Sequence, residues 1–137
     1  MIYESVEYPS ACEACGAVTE CSGAQVLLDD GLRWDVASSC PGCGQAFIAC
    51  GRADIPADLR DRLLTEHGPT RLEIVDRSAN SALLMKALRA ELAGGLHQAK
   101  EMLQRVRAGG HTGTLPEVEL LARRLCEAGI QARAGRP

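Results

Sequence analysis

Two short cysteine pairs constrain this chain more than any other feature. Cys12-x2-Cys15-Gly16 and Cys40-Pro41-Gly42-Cys43-Gly44 are separated by 24 residues. A Cys-x2-Cys step closes a tight turn that aims two thiolates at one point. A glycine after the second cysteine permits the backbone twist that turns amides toward sulfur. Two such turns joined by a hairpin complete a tetrahedral shell for Zn²⁺, so Cys12, Cys15, Cys40 and Cys43 are the expected metal ligands. A disulfide or an iron centre is the competing reading of the same four residues. Four protein ligands leave no open position for a water, and no histidine lies within the ribbon. The expected zinc is therefore structural, a single ion.

The stretch between the pairs supports a hairpin. Gln25-Val26-Leu27-Leu28 and Leu32-Arg33-Trp34-Asp35-Val36 flank Asp29-Asp30-Gly31. Asp-Gly is a strong turn signal because glycine tolerates positive φ. Leu32, Trp34 and Val36 alternate with Arg33 and Asp35, so one face of that strand is expected to be buried. After the second pair, Ala46-Phe47-Ile48-Ala49 reads as another strand. Residues 1–54 are thus expected to form a zinc ribbon of β-hairpins. Six of the seven cysteines fall within it. Cys21 and Cys50 read as small buried hydrophobes, and Cys126 as packing rather than a nucleophile.

A metal staple suits the composition. Aromatics make up 3% of the 137 residues, so any core is aliphatic, and a domain of about 60 residues buries little surface on its own. Charge divides the chain as sharply as cysteine does. Residues 1–55 carry eight acidic and two basic side chains, a net of −6. Residues 56–137 carry 13 basic and 10 acidic, a net of +3. The first residues have neither the basic nor the apolar region of a signal peptide, and no run approaches membrane-spanning length. A cytoplasmic protein without membrane contact is expected, and reduced thiols there favour metal over disulfide.

Residues 55–69 read as a connector helix. Pro56 suits a first turn, and Leu59, Leu63 and Leu64 form a narrow apolar stripe that packs against one domain or bridges both. The remainder, residues 70–137, reads as a small α/β domain. Residues 71–76 alternate as a strand. Residues 81–92 are helical, with Leu84, Leu88 and Leu92 on one face. Gly94-Gly95 break that helix, and another follows over residues 96–107 with a stripe of Leu96, Ala99, Leu103 and Val106. After a short extended piece, Thr114-Leu115-Pro116-Glu117 forms a capping box ahead of a helix bearing Val118, Leu121, Ala122 and Leu125. Gly129 ends it, and residues 130–134 alternate as a last strand. The order is β-α-α-β-α-β, with three helices on a three-stranded antiparallel sheet. The whole chain is therefore α+β.

Within this half, Leu83-Leu84-Met85-Lys86-Ala87-Leu88-Arg89, then Ala93-Gly94-Gly95-Leu96-His97-Gln98-Ala99-Lys100, then Leu125-Cys126-Glu127-Ala128-Gly129-Ile130 resemble the C-terminal domain of the bacterial ribosomal stalk protein, the L-seven/L-twelve family. The family reads lysine–x–x–arginine, then glycine–leucine–lysine–glutamate–alanine–lysine, then leucine–x–glutamate–alanine–glycine before a strand. The resemblance implies the same β-α-α-β-α-β fold. It also implies that Lys86, Arg89 and Lys100 match cations that contact translational GTPases, with Ala82, Leu83 and Met85 as the apolar ground around them. From periodicity alone, Lys86 and Arg89 are simply solvated. The chain departs from the family pattern at Ser81, His97 and Ala93. A ribbon also stands where the stalk family carries a dimerising helical domain and a hinge.

The function expected from this reading is a non-enzymatic protein-interaction module linked to translation. Its partner would be a translational GTPase or ribosome-associated factor. The alternative is a nucleic-acid-binding zinc ribbon, which the acidic ribbon disfavours because phosphate contacts need basic residues. An enzyme is the weakest reading. There is no phosphate loop and no nucleophile–base pair, and His67, His97 and His111 are scattered.

Overall fold

Both cysteine pairs are turns at the ends of β-hairpins. The computed structural model describes residues 1–75, 80–91 and 95–136. Among these the chain is α+β, with four helices and two antiparallel sheets. It divides into two compact units, Met1–Gly68 and Pro69–Pro137.

The first unit is a four-stranded meander, β1 (Ile2–Ala11), β2 (Val18–Leu28), β3 (Gly31–Ser39) and β4 (Ala46–Gly51), in spatial order β1-β2-β3-β4. The first knuckle joins β1 to β2, where Ala11 pairs with Val18. The second joins β3 to β4, where Ser39 pairs with Ala46. At the opposite end, Leu28 pairs with Gly31 across Asp29 and Asp30. Gly31 has φ of +126°, as the expected turn requires. Arg33 closes it with an ion pair to Asp30 at 2.7 Å.

Antiparallel partners share a face, and alternate residues point to opposite faces. One face of this sheet carries Val6, Tyr8, Trp34 and Val36. Helix α1 (Ala57–His67), which falls in the stretch expected to connect the two halves, packs onto it. Leu59 and Leu63 are fully buried there. Each such leucine contributes roughly 1.5–3 kcal/mol. Gly23 faces the helix, and a Cβ at that position would run into Leu59. The helix starts at Pro56 without a side-chain cap and ends at Gly68, whose φ is +79° and whose N–H donates to the Leu64 carbonyl at 2.9 Å. His67 Nε2 lies 2.7 Å from the Ser5 carbonyl oxygen and ties the helix to β1.

The second unit runs β5 (Thr70–Ile74), α2 (Ser81–Glu91), α3 (Leu96–Arg107), β6 (Thr112–Gly113), α4 (Leu115–Glu127) and β7 (Ala132–Gly135). Its sheet has the order β6-β5-β7, with both pairings antiparallel. Leu72 turns inward to a core of Leu84, Leu88, Met102, Val106, Val118, Ala122, Leu125 and Ile130. Arg71, Glu73 and Arg133 lie on the other face of the sheet, where Arg133 pairs with Glu73 at 2.7 Å. The capping box of α4 is formed: Thr114 Oγ1 accepts from the Glu117 N–H, and Glu117 Oε1 accepts from the Thr114 N–H. Gly129, at φ of +91°, ends that helix, and the Ile130 N–H reaches back to the Leu125 carbonyl at 2.9 Å.

Some expectations need correction. Leu96 does not join the α3 stripe. It is 49% exposed in the first turn, and Met102, three residues beyond Ala99, takes the inward position. Ile130 is a core residue just before β7 rather than part of it. Cys50 is exposed on the edge strand β4 instead of buried, whereas Cys21 is half-buried. Asp76, Leu92, Ala93 and Gly94, which carried the end of the first strand, the end of the α2 stripe and the helix break, lie outside the described residues.

Candidate metal centre

The two knuckles have the same local chemistry. In the first, the Cys12 N–H donates to the Ala17 carbonyl at 2.7 Å, and the Gly16 N–H donates to the Cys12 carbonyl at 2.8 Å. In the second, the Cys40 N–H donates to Gln45 and the Gly44 N–H to Cys40, each at 2.8 Å. Gly16 and Gly44 hold φ of +74° and +76°, so each knuckle needs its glycine at the same step. Open space surrounds both.

Cys12, Cys15, Cys40 and Cys43 converge, with all four sulfurs within 4.8 Å of one another. Cys12 Sγ lies 3.8 Å from Cys43 Sγ, and Cys15 Sγ 3.5 Å from Cys40 Sγ. A tetrahedral site with metal–sulfur bonds of about 2.3 Å has sulfur–sulfur edges of about 3.8 Å. The four thiols therefore match one metal site, and the residues present fit the ion. Gly42 completes the cradle, because a Cβ there would meet Ala17 Cβ at 3.1 Å and the Cys15 and Cys40 sulfurs at 3.6 Å. The sequence signal for this role is weak, since Gly42 is merely one of the two residues inside its Cys-x2-Cys step.

Each knuckle sends one cysteine inward and one outward. Cys12 and Cys40 are buried, while Cys15 and Cys43 are exposed. Amide donors settle the first thiol: N–H groups of Cys15 and Ala14 bring Cys12 down to about 7. Cys15 is pushed up to about 11. The Ala17 amide favours its thiolate, but hydrogen bonding shared with Cys40 and loss of hydration outweigh that donor. Cys43 is also raised: the Gln45 amide pulls it down, and desolvation with the neighbouring thiols overcomes it. A metal cation held at the centre would supply the charge that lets all four ionise together.

The remaining cysteines stand apart. Cys21 Sγ lies 3.3 Å from Thr19 Oγ1. Exposed Cys126 donates to the Ala132 carbonyl at 3.3 Å and so ties the end of α4 to β7. Neither joins the four-thiol cluster, nor does exposed Cys50.

The other expected site residues lie in the second unit. Ala82, Lys86 and Arg89 are exposed on α2, Leu83 is 39% exposed, and Met85 is half-buried. Lys100 is exposed on α3, which packs against α2. Leu84 and Leu88 are fully buried, so the core holds α2 by one side and leaves the cationic side outward. Two nearby cations have partners: Arg124 pairs with Glu91 at 2.9 Å, and Arg107 donates to Ser81 Oγ at 2.8 Å. Lys86, Arg89 and Lys100 make no ion pair with any other described residue. Among the described residues, no helix is long and apolar enough to cross a membrane.

No protein-family model, curated protein or solved structure matches this chain.

Proposed function

We propose that this protein is a non-enzymatic interaction module, stapled by one structural zinc ion in its first unit and capturing a protein partner with the α2/α3 face of its second. The observation that carries the proposal is the set of cations that have no ion-pair partner among the described residues. Lys86, Arg89 and Lys100 stand exposed on two packed helices, beside Leu83 and Met85, while Arg124 and Arg107 are engaged with Glu91 and Ser81. A cationic face with apolar ground suits an acidic, partly apolar protein surface. The resemblance to the ribosomal stalk domain supports a translational GTPase or ribosome-associated factor as that partner.

Zinc is the ion the donor set favours. Four thiols in a tetrahedral arrangement suit a closed-shell d¹⁰ ion held for structure. With the shell closed by protein, the ion's role is to hold the two hairpins rather than to activate water. The nucleic-acid alternative gains nothing from the first unit, where four thiolates around a dication add negative charge to an acidic ribbon.

Affinity capture from native cell extract tests the proposal, with the intact chain and a Lys86→Ala/Arg89→Ala variant as baits. Recovery of translational GTPases or ribosomes by the intact chain alone, in a variant whose fold is unchanged, is the expected result. Equal recovery by both baits would sink the basic-face reading.

A further inference from the structure

The sheet of the first unit has a second face, and α1 does not cover it. Side chains alternating with Val6, Tyr8, Gly23 and Val36 point away from the helix. In register across the strands, Glu7 pairs with Ser22, Ser22 with Ala37, and Ala37 with Ile48. The next row toward the metal contains Glu20, followed by Val18 at the start of β2. These residues line a trough of about 710 Å³ at the knuckle end of the sheet. Ser22 and Ala37 make its floor low. Val18 and Ile48 rise from it, 67% and 77% exposed. Glu7 and Glu20 are exposed beside them and have no ion-pair partner among the described residues.

We infer that this trough is a docking site for a short basic segment of a partner protein, one that lays aliphatic side chains against Val18 and Ile48 at its two ends and a lysine or arginine against Glu7 and Glu20. The first argument is charge. The trough offers carboxylates without an internal cation, on a unit whose first 55 residues carry a net of −6. Such a field attracts basic segments and rejects acidic ones. The second argument is shape. A low floor with an exposed aliphatic side chain at each end takes the apolar side chains of an extended segment, whereas a flat solvated sheet face would carry polar residues in those raised positions. A second copy of the chain fits poorly, because face-to-face pairing would bring Glu7 and Glu20 against their own counterparts. The inference is independent of the α2/α3 reading, since the two surfaces lie in different units.

Peptide titration of the full zinc-loaded chain tests it, followed by amide NMR shifts and calorimetry at near-physiological salt. The probes are a capped peptide of alternating lysine and leucine and its glutamate–leucine counterpart. Binding of the lysine peptide alone is expected, with shifts confined to the strand segments around Glu7, Val18, Glu20 and Ile48. Glu7→Gln/Glu20→Gln is expected to weaken it about tenfold. The same charge change on the helix side, Asp61→Asn/Glu66→Gln, is expected to leave affinity within about twofold. Ile48→Ser probes the apolar wall and should also weaken binding. Equal weakening by both charge pairs would reduce the effect to generic attraction and overturn the inference. So would shifts elsewhere, or peptide-free dimerisation that moves the same amides.

Discussion

Cys40 is buried and Cys43 exposed, yet each supplies a quarter of the same shell. Replacing Cys40 with serine removes an inward ligand that the sheet cannot replace from elsewhere. Metal content, measured by atomic emission on the purified chain, should fall from one ion to none, and the hairpin signals of the first unit should disappear. Apparent binding energies of structural zinc sites, roughly 10–16 kcal/mol, exceed what a small unit can lose and stay folded. Native hairpin amides in metal-free Cys40→Ser would refute this. The glycines separate two effects at the same centre. At Gly44 there is open space but φ is +76°, so Gly44→Ala should cost about 1–2 kcal/mol through the backbone alone. Denaturation of the metal-loaded variant reads that cost directly. An unchanged midpoint would mean the knuckle adopts another turn.

At the scale of elements, α1 belongs energetically to the first unit. Leu63 is fully buried, and Leu63→Ala should destabilise this unit by about 2–5 kcal/mol. Residue-resolved denaturation followed by amide NMR would show β1 to β4 melting earlier, while residues around Leu125 hold their own transition. Much of this architecture is legible from sequence because its determinants are local. The knuckles, the Asp-Gly turn, the α4 capping box and the helix-ending Gly129 each lie within a few adjacent residues. Strand β1 is less legible. Between Ile2 and Val6 its inward positions include Glu4, only 3% exposed, so a buried carboxylate interrupts the apolar alternation, and Pro9 reads as a breaker although an edge strand tolerates it. Leu96 misleads for a different reason. Helical spacing fixes the angle of a residue around the axis but not whether the first turn still lies over the sheet. The four cysteines that converge were readable to the residue. The trough was not, because Glu7, Val18, Glu20 and Ile48 meet only through strand register.

At the scale of the whole molecule, the two cores are built from separate residue sets, one around Leu59 and Leu63 and one around Leu72 and Leu125. Metal removal should therefore act on one of them. Treating the intact chain with a strong zinc chelator is expected to abolish the amide dispersion of residues 1–68 and to retain that of the described residues after Pro69. Loss of both sets together would show that the second unit depends on the first. The meander carries a further consequence. Every sheet neighbour in the first unit is also a chain neighbour, so each hairpin can zip by itself, and only the β2–β3 pairing decides whether the two knuckles meet. A slip of one residue there shifts the strands by about 3.3 Å and turns every side chain to the opposite face. Sulfurs that converge within 4.8 Å would no longer do so. A bound ion would thus act as a proofreader of alignment: it would reward one register among the several that a hairpin meander could try, and misaligned chains would be left without it.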